Sequence, residues 1–157
     1  MSIPTLQILL VSALACGLIY AAATDIKARI IPNPLVVAIA VVAPLYWWAT
    51  GLSLWPDMGW QLGVAGIVFA IGAGLFALGQ MGGGDVKLLT ALALWFPPLS
   101  MLNLLIIMAL IGAALKLFML IRHKWQKAEG RPEIPYGVAI ALAGLWMLYE
   151  RNLNHFA

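Results

Sequence analysis

Three residue types that many enzymes use are scarce in this sequence. One cysteine, two histidines and six acidic residues occur among its 157 residues. A single cysteine excludes an internal disulfide and a cysteine-based zinc site. His123 and His155 are too few and too scattered for a histidine metal site or a Ser-His-Asp triad. We therefore expect neither a metal nor a cofactor, and we expect Cys16, which lies in an apolar run, to be a small packing residue.

Charge is scarce as well. Only 10% of the residues are charged and 64% are hydrophobic, with a mean hydropathy of +0.98, whereas a soluble domain is about 25% charged and 45–50% apolar. The composition therefore predicts an integral membrane protein with a single membrane domain over residues 1–157. The net charge of +3 is better explained by membrane orientation than by nucleic-acid binding, so no nucleic-acid partner is expected.

The apolar runs predict an all-α protein with six transmembrane helices. A bilayer core needs about 20 apolar residues per helix, and runs of suitable composition occupy residues 4–23, 34–50, 60–78, 99–121 and 136–149. The fourth segment, residues 88–96, is too short to cross unless the glycine-rich loop before it dips into the membrane. Such a loop is tolerated only where protein buries it or where it lines a wet cavity. The alternative is a re-entrant hairpin formed by the fourth and fifth segments.

Basic residues accumulate on one side of this topology. Lys27, Arg29, Lys87 and the basic stretch 122–135 fall on the same side, which the positive-inside rule places in the cytoplasm. Both termini are then expected outside. We interpret the stretch 122–135 as a solvated loop that sets the orientation.

The three aspartates differ in their expected positions. Asp57 lies in an external Pro- and Gly-containing turn, where aspartate is common. Asp25 follows the first span, and Asp85 follows three glycines on the same side. Singly, Asp25 is explained by pairing with nearby basic residues and Asp85 by capping of the fourth helix. Together, two neighbouring carboxylates can share a proton and act as general base and general acid in peptide hydrolysis.

Three stretches resemble one known family. Gly82-Gly83-Gly84-Asp85 fits a GxGD motif, and residues 25–33 resemble the first-aspartate stretch of the type IV prepilin peptidases. Residues 134–137, Ile-Pro-Tyr-Gly, are similar to the segment that leads into that family's last helix. The resemblance covers nearly the whole chain, in motif order and in topology.

The resemblance implies a metal-independent aspartic protease of the bacterial inner membrane. Its catalytic residues would be Asp25 and Asp85, facing the cytoplasm, and its substrate a prepilin or pseudopilin whose hydrophobic helix stays among the lipids. The short form is similar to peptidases of tight-adherence (Flp-type) pilus systems. Larger family members resemble this chain plus an N-terminal domain with paired CxxC zinc motifs. No zinc-binding or methyltransferase domain is expected here, because the sequence has one cysteine. The candidate loop and substrate-binding residues are Gly82, Gly84, Lys27, Arg29 and Lys87.

Three other functions compete with this interpretation. A presenilin-like intramembrane protease shares GxGD, but such proteins carry a Tyr-Asp motif within a helix, whereas Asp25 is expected to end one. A small proton- or cation-coupled transporter would need polar residues in the outer half of the spans, and almost none occur there. A structural assembly protein would leave Asp85 unexplained.

Overall fold

The computed structural model describes residues 3–126 and 135–156, with side chains described through residue 122 and from 135 to 151. Six α-helices and no strands occur in these ranges. We number them α1 (Ile3–Ala28), α2 (Asn33–Thr50), α3 (Gly59–Ala77), α4 (Gly83–Ala93), α5 (Pro98–Gln126) and α6 (Tyr136–Phe156). The all-helical prediction is confirmed for the described part of the chain.

Four stretches are long and apolar enough to cross a membrane. Among the described residues these are Ile3–Ala28, Asn33–Thr50, Leu54–Ala77 and Pro98–Arg122. Their outer faces expose large apolar side chains such as Ile8, Val41, Phe69 and Leu110, which suits contact with lipid. The chain is therefore compatible with a multi-pass membrane protein.

Glycine, proline and one arginine in the left-handed conformation mark the helix boundaries. α1 ends where Arg29 adopts the left-handed conformation, at φ 55°, and Pro34 lies in the first turn of α2, where its missing N–H costs nothing. α2 ends at Gly51, whose φ of 72° closes the helix. Pro98 opens α5 in the same way as Pro34 opens α2.

Helix α4 lies at the centre of the bundle. It packs against α2, α3, α5 and α6, while α1 packs between α2 and α6 and α5 covers the other side of α6. Most of its residues are buried, and Leu88 and Leu92 are completely inaccessible. With 11 residues, α4 is about 16 Å long, so it cannot cross a bilayer by itself.

Side chains from neighbouring helices satisfy the carboxyl end of α4. The Gln61 amide Nε2 donates to the carbonyl oxygens of Ala93 and Phe96, at 3.2 and 2.7 Å. The Trp47 indole Nε1 donates to the Leu94 carbonyl at 2.6 Å. The last carbonyls of a helix have no partners within it, and leaving them unpaired in an apolar interior is costly. These three bonds explain how α4 can end inside the protein.

Several boundaries differ from the sequence-based expectation. α4 begins at Gly83 instead of residue 88, so two of the three glycines and Asp85 form its first turn instead of a loop. α1 continues to Ala28, so Asp25 lies within its last turn and does not follow it.

The remaining differences concern α5, α6 and the cysteine. α5 continues to Gln126 and α6 to Phe156, so the first part of the predicted loop 122–135 is helical, and residues 127–134 lie outside the described part. Cys16 is exposed on the surface of α1, so the prediction of a packed core residue was wrong.

Candidate active site

Asp25 and Asp85 line the same cavity. Asp25 comes from the last turn of α1 and Asp85 from the first turn of α4, and both side chains are buried, with 6% and 9% of their surface exposed. The cavity has a volume of about 670 Å³. The α1–α2 connection, the segment from Gly79 to Gly84 and Tyr136 complete its wall. The two candidate aspartates thus meet at one end of the bundle, although 60 positions separate them in the chain.

The first turn of α6 binds the carboxylate of Asp25. The backbone N–H of Val138 donates to Asp25 Oδ2 at 3.2 Å. A Cβ atom built on Gly137 would lie 2.8 Å from both Cγ and Oδ2 of Asp25, closer than real Cβ atoms approach other heavy atoms. The carboxylate therefore fits against α6 only because residue 137 has no side chain.

Asp85 is held by the start of its own helix. It is the third residue of α4, and its Oδ2 accepts a hydrogen bond from the backbone N–H of Gly82 at 3.2 Å. Burial and the negative charge of nearby Asp25 raise the pKa of Asp85 from 3.8 to about 6, against the opposing effect of the Gly82 bond. Each of these causes has the expected sign, since both burial and a like charge disfavour the carboxylate form. Asp85 therefore keeps its proton at a higher pH than an exposed aspartate does.

The glycines near Asp85 allow close packing around the cavity. A Cβ on Gly82 would lie 2.9 Å from Asp85 Oδ2, and one on Gly84 would lie 3.3 Å from Cβ of Ile31. Any side chain at Gly82 would therefore press on the Asp85 carboxylate. Gly84 allows α4 to pack against the α1–α2 connection, which forms part of the cavity wall.

The three candidate basic residues occupy different positions. Arg29 lines the cavity. Lys87 instead donates from Nζ to Asn33 Oδ1 at 3.1 Å, which ties α4 to the start of α2. Lys27 is exposed in the last turn of α1 and is not among the residues that line the cavity.

Asp57 lies at the other end of the bundle. It is exposed, and its Oδ2 accepts hydrogen bonds from the backbone N–H and the hydroxyl of Ser53, at 3.1 and 2.9 Å. This geometry is that of an ordinary turn aspartate.

Sequence reasoning did not predict the contribution of α6. The run at 134–137 was singled out by resemblance, but nothing in it indicated that Gly137 and Val138 contact Asp25; Ile134 lies outside the described residues. A glycine in the first turn of an apolar helix was the available signal, because glycine there indicates close approach by another group. The contributions of Ile31, Asn33 and Tyr136 were also missed.

The site contains two carboxyl groups and few other reactive side chains. Among the described residues, no group of three or more His, Cys, Asp or Glu side chains is arranged to hold a metal ion. The chemistry that two adjacent carboxyl groups offer is transfer of protons to and from water and a bound carbonyl.

Comparison with known proteins identifies the family. Residues 12–117, about two thirds of the chain, match the model of the type IV leader peptidase family, and both candidate aspartates fall in this range. Comparison with curated proteins and with solved structures gave no match. The family match supports the resemblance found in the sequence: the chain belongs to the type IV leader peptidase family.

Proposed function

We propose that this protein is a membrane aspartic endopeptidase that removes the leader peptide from type IV prepilins or pseudopilins. The observation that carries the proposal is that two buried aspartates from distant helices line one cavity. The family implies a peptidase.

Peptide hydrolysis by this pair needs no covalent intermediate. The ionised member takes a proton from a water molecule, whose oxygen attacks the carbonyl carbon, while the protonated member donates its proton to the carbonyl oxygen. The resulting diol collapses when the leaving nitrogen accepts a proton and the C–N bond breaks. Two carboxyl groups that share one proton provide both functions.

The position of the cavity supports a substrate with a membrane helix, such as a prepilin. The cavity lies at the end of a bundle whose sides expose apolar residues, so a peptide bond next to a membrane helix can reach it while that helix stays in the lipid. The basic residues at this end support a cytoplasmic orientation of the cavity by the positive-inside rule, and the bacterial inner membrane is the location that the resemblance implies. Arg29 faces the cavity and would interact with acidic groups of the substrate.

The competing functions lack a comparable observation. The position of Asp25 no longer argues against a presenilin-like protease, because Asp25 lies inside α1, but the family match favours a leader peptidase. A Flp-type pilin is the substrate class that the resemblance to tight-adherence peptidases suggests.

The test is cleavage of a type IV prepilin in proteoliposomes, measured by mass as loss of the leader. Asp25→Asn and Asp85→Asn should each lose cleavage, while Asp57→Asn, which alters the third aspartate, should keep the wild-type rate. Cleavage that persists in either of the first two variants would remove that aspartate from the mechanism. If the wild type cleaves no pilin of its host, the proposed function is wrong.

A further inference from the structure

The two carboxyl groups of the cavity have different surroundings. Asp25 lies against the start of α6, where the helix dipole and the backbone N–H groups of Gly137 and Val138 favour a negative charge, although the Val138 N–H is shared with the Pro135 carbonyl. Arg29 adds a positive charge on the same side. These contacts favour the carboxylate form of Asp25 and oppose the effect of its burial, which is the larger influence and favours the protonated form.

Asp85 also lies in the first turn of a helix, α4, but among the described residues it has fewer charge-stabilising contacts than Asp25. It accepts one hydrogen bond, from Gly82, and faces the charge of Asp25. Lys87, two residues further along α4, is bonded to Asn33 instead. When the two carboxyl groups share one proton, we therefore expect Asp85 to retain it.

We propose that the first turn of α6 holds Asp25 as the ionised member of the pair, that Asp85 carries the proton, and that Gly137 is a positioning residue for Asp25. The proposal rests on the proposed function and assigns its two chemical roles. Asp25 takes the proton from the attacking water, and Asp85 protonates the carbonyl oxygen. On collapse, the proton on Asp25 passes to the leaving nitrogen, and Asp85 regains a proton from the diol, so both groups return to their starting states.

The charged and titratable groups around Asp25 are few. Among the described residues they are Arg29 just after α1, Asp85 on α4 and Tyr136 on α6, which share the cavity wall, with Lys87 tied to the start of α2 and Lys27 exposed in the last turn of α1. The three atoms nearest to a Cβ on Gly137 belong to Asp25 and, at 3.0 Å, to Ile31, and to none of these charged groups. Gly137 is therefore the residue whose change alters Asp25 without adding or removing charge.

One test compares two glycines of α6. Gly137→Ala places a methyl group against the Asp25 carboxylate, whereas Gly144→Ala places one at the same distance, 2.8 Å, from the tip of Leu18. Gly137→Ala should slow cleavage roughly 100-fold, as expected for a catalytic group displaced by about 1 Å. It should also move the acid limb of the pH–rate profile to higher pH, because Asp25 loses support for its charge.

Gly144→Ala is the control for packing damage. It should lower thermal stability while leaving the shape of the pH–rate profile unchanged. A Gly137→Ala enzyme with the wild-type profile, slowed only in proportion to its loss of folded protein, would show that Gly137 does not position Asp25.

A second test needs no substrate. The chain has only three aspartates, so labelling aspartate carboxyl carbons with ¹³C yields three groups to titrate by infrared or NMR spectroscopy. The signal that titrates near pH 6 should disappear in Asp85→Asn. In Asp25→Asn it should persist and move to lower pH, because the neighbouring charge is gone.

The opposite pattern would overturn the assignment. If the signal near pH 6 disappears in Asp25→Asn and remains in Asp85→Asn, Asp25 holds the proton. Because this titration is independent of proteolysis, it separates failure of the assignment from failure of the proposed peptidase activity.

Discussion

Replacing Asp85 by asparagine should make the protein more stable while abolishing cleavage. Burial and the charge of Asp25 raise the pKa of Asp85 from 3.8 to about 6, so the folded protein loses stability whenever Asp85 is ionised. Each pKa unit of this shift corresponds to about 1.4 kcal/mol, so ionised Asp85 lowers the free energy of unfolding by at most about 3 kcal/mol. Asparagine has no charge, and its side-chain oxygen can still accept the Gly82 hydrogen bond.

The gain should depend on pH in a defined way. A carboxyl group whose pKa is higher in the folded state costs nothing below its unfolded pKa, because both states are then protonated. The cost grows as the pH rises from about 4 to about 6 and is constant above that range. The stability difference between Asp85→Asn and the wild type should therefore be close to zero at pH 4 and largest at pH 7 to 8.

The assay is thermal unfolding of both proteins in one detergent, followed by tryptophan fluorescence from pH 4 to 8. A gain of about 3 kcal/mol corresponds to roughly 6–12 °C in melting temperature for a chain of this size. Asp57→Asn, at an exposed turn, is the control and should show no such gain. A variant that is no more stable at pH 8, or whose gain is the same at every pH, would refute the inference that Asp85 is buried beside a second negative charge.

Two further predictions concern Gln61, which binds the carboxyl end of α4, and Arg29, which lines the cavity. Gln61→Leu should lower the free energy of unfolding by roughly 2–4 kcal/mol, because two buried carbonyls at the end of α4 lose their donor. Gln7→Leu, which removes one bond at a partly buried position, should cost less in the same denaturation assay. Arg29→Ala should slow prepilin cleavage more than Lys87→Ala, because Arg29 lines the cavity while Lys87 is bonded to Asn33; equal rates in the two variants would contradict this.

The sequence was sufficient to predict the helical class and to single out the two aspartates that line one cavity. Apolar runs have a clear length requirement in a bilayer, and charged residues in such a sequence stand out because their burial is costly. Asp25 and Asp85 could therefore be singled out without structural information. Their common cavity follows from the alternation of helices, which brings the end of α1 and the start of α4 to the same side.

The error at the start of α4 has a physical reason. Three consecutive glycines disfavour a helix, so residues 82–84 were expected to form a loop. In the structure Gly83 and Gly84 are helical, because tertiary packing outweighs the low propensity. A Cβ atom on Gly84 would lie 3.3 Å from Cβ of Ile31, closer than most real contacts, whereas one on Gly83 would make an ordinary contact with Phe76 at 3.4 Å. Gly84 therefore serves close approach and not flexibility. Helix propensity alone cannot distinguish these two uses of glycine.

The short length of α4 links the site to the rest of the protein. A helix that crossed the whole bilayer could slide along its axis without losing backbone hydrogen bonds, since its ends would lie in water. α4 cannot do so, because Trp47 and Gln61 hold its carboxyl end. Asp85 lies in the first turn of the same helix, so bonds at the far end of α4 also fix the depth of the carboxyl group that faces Asp25. Loss of the Gln61 bonds should for this reason reduce cleavage even at temperatures where the variant remains folded.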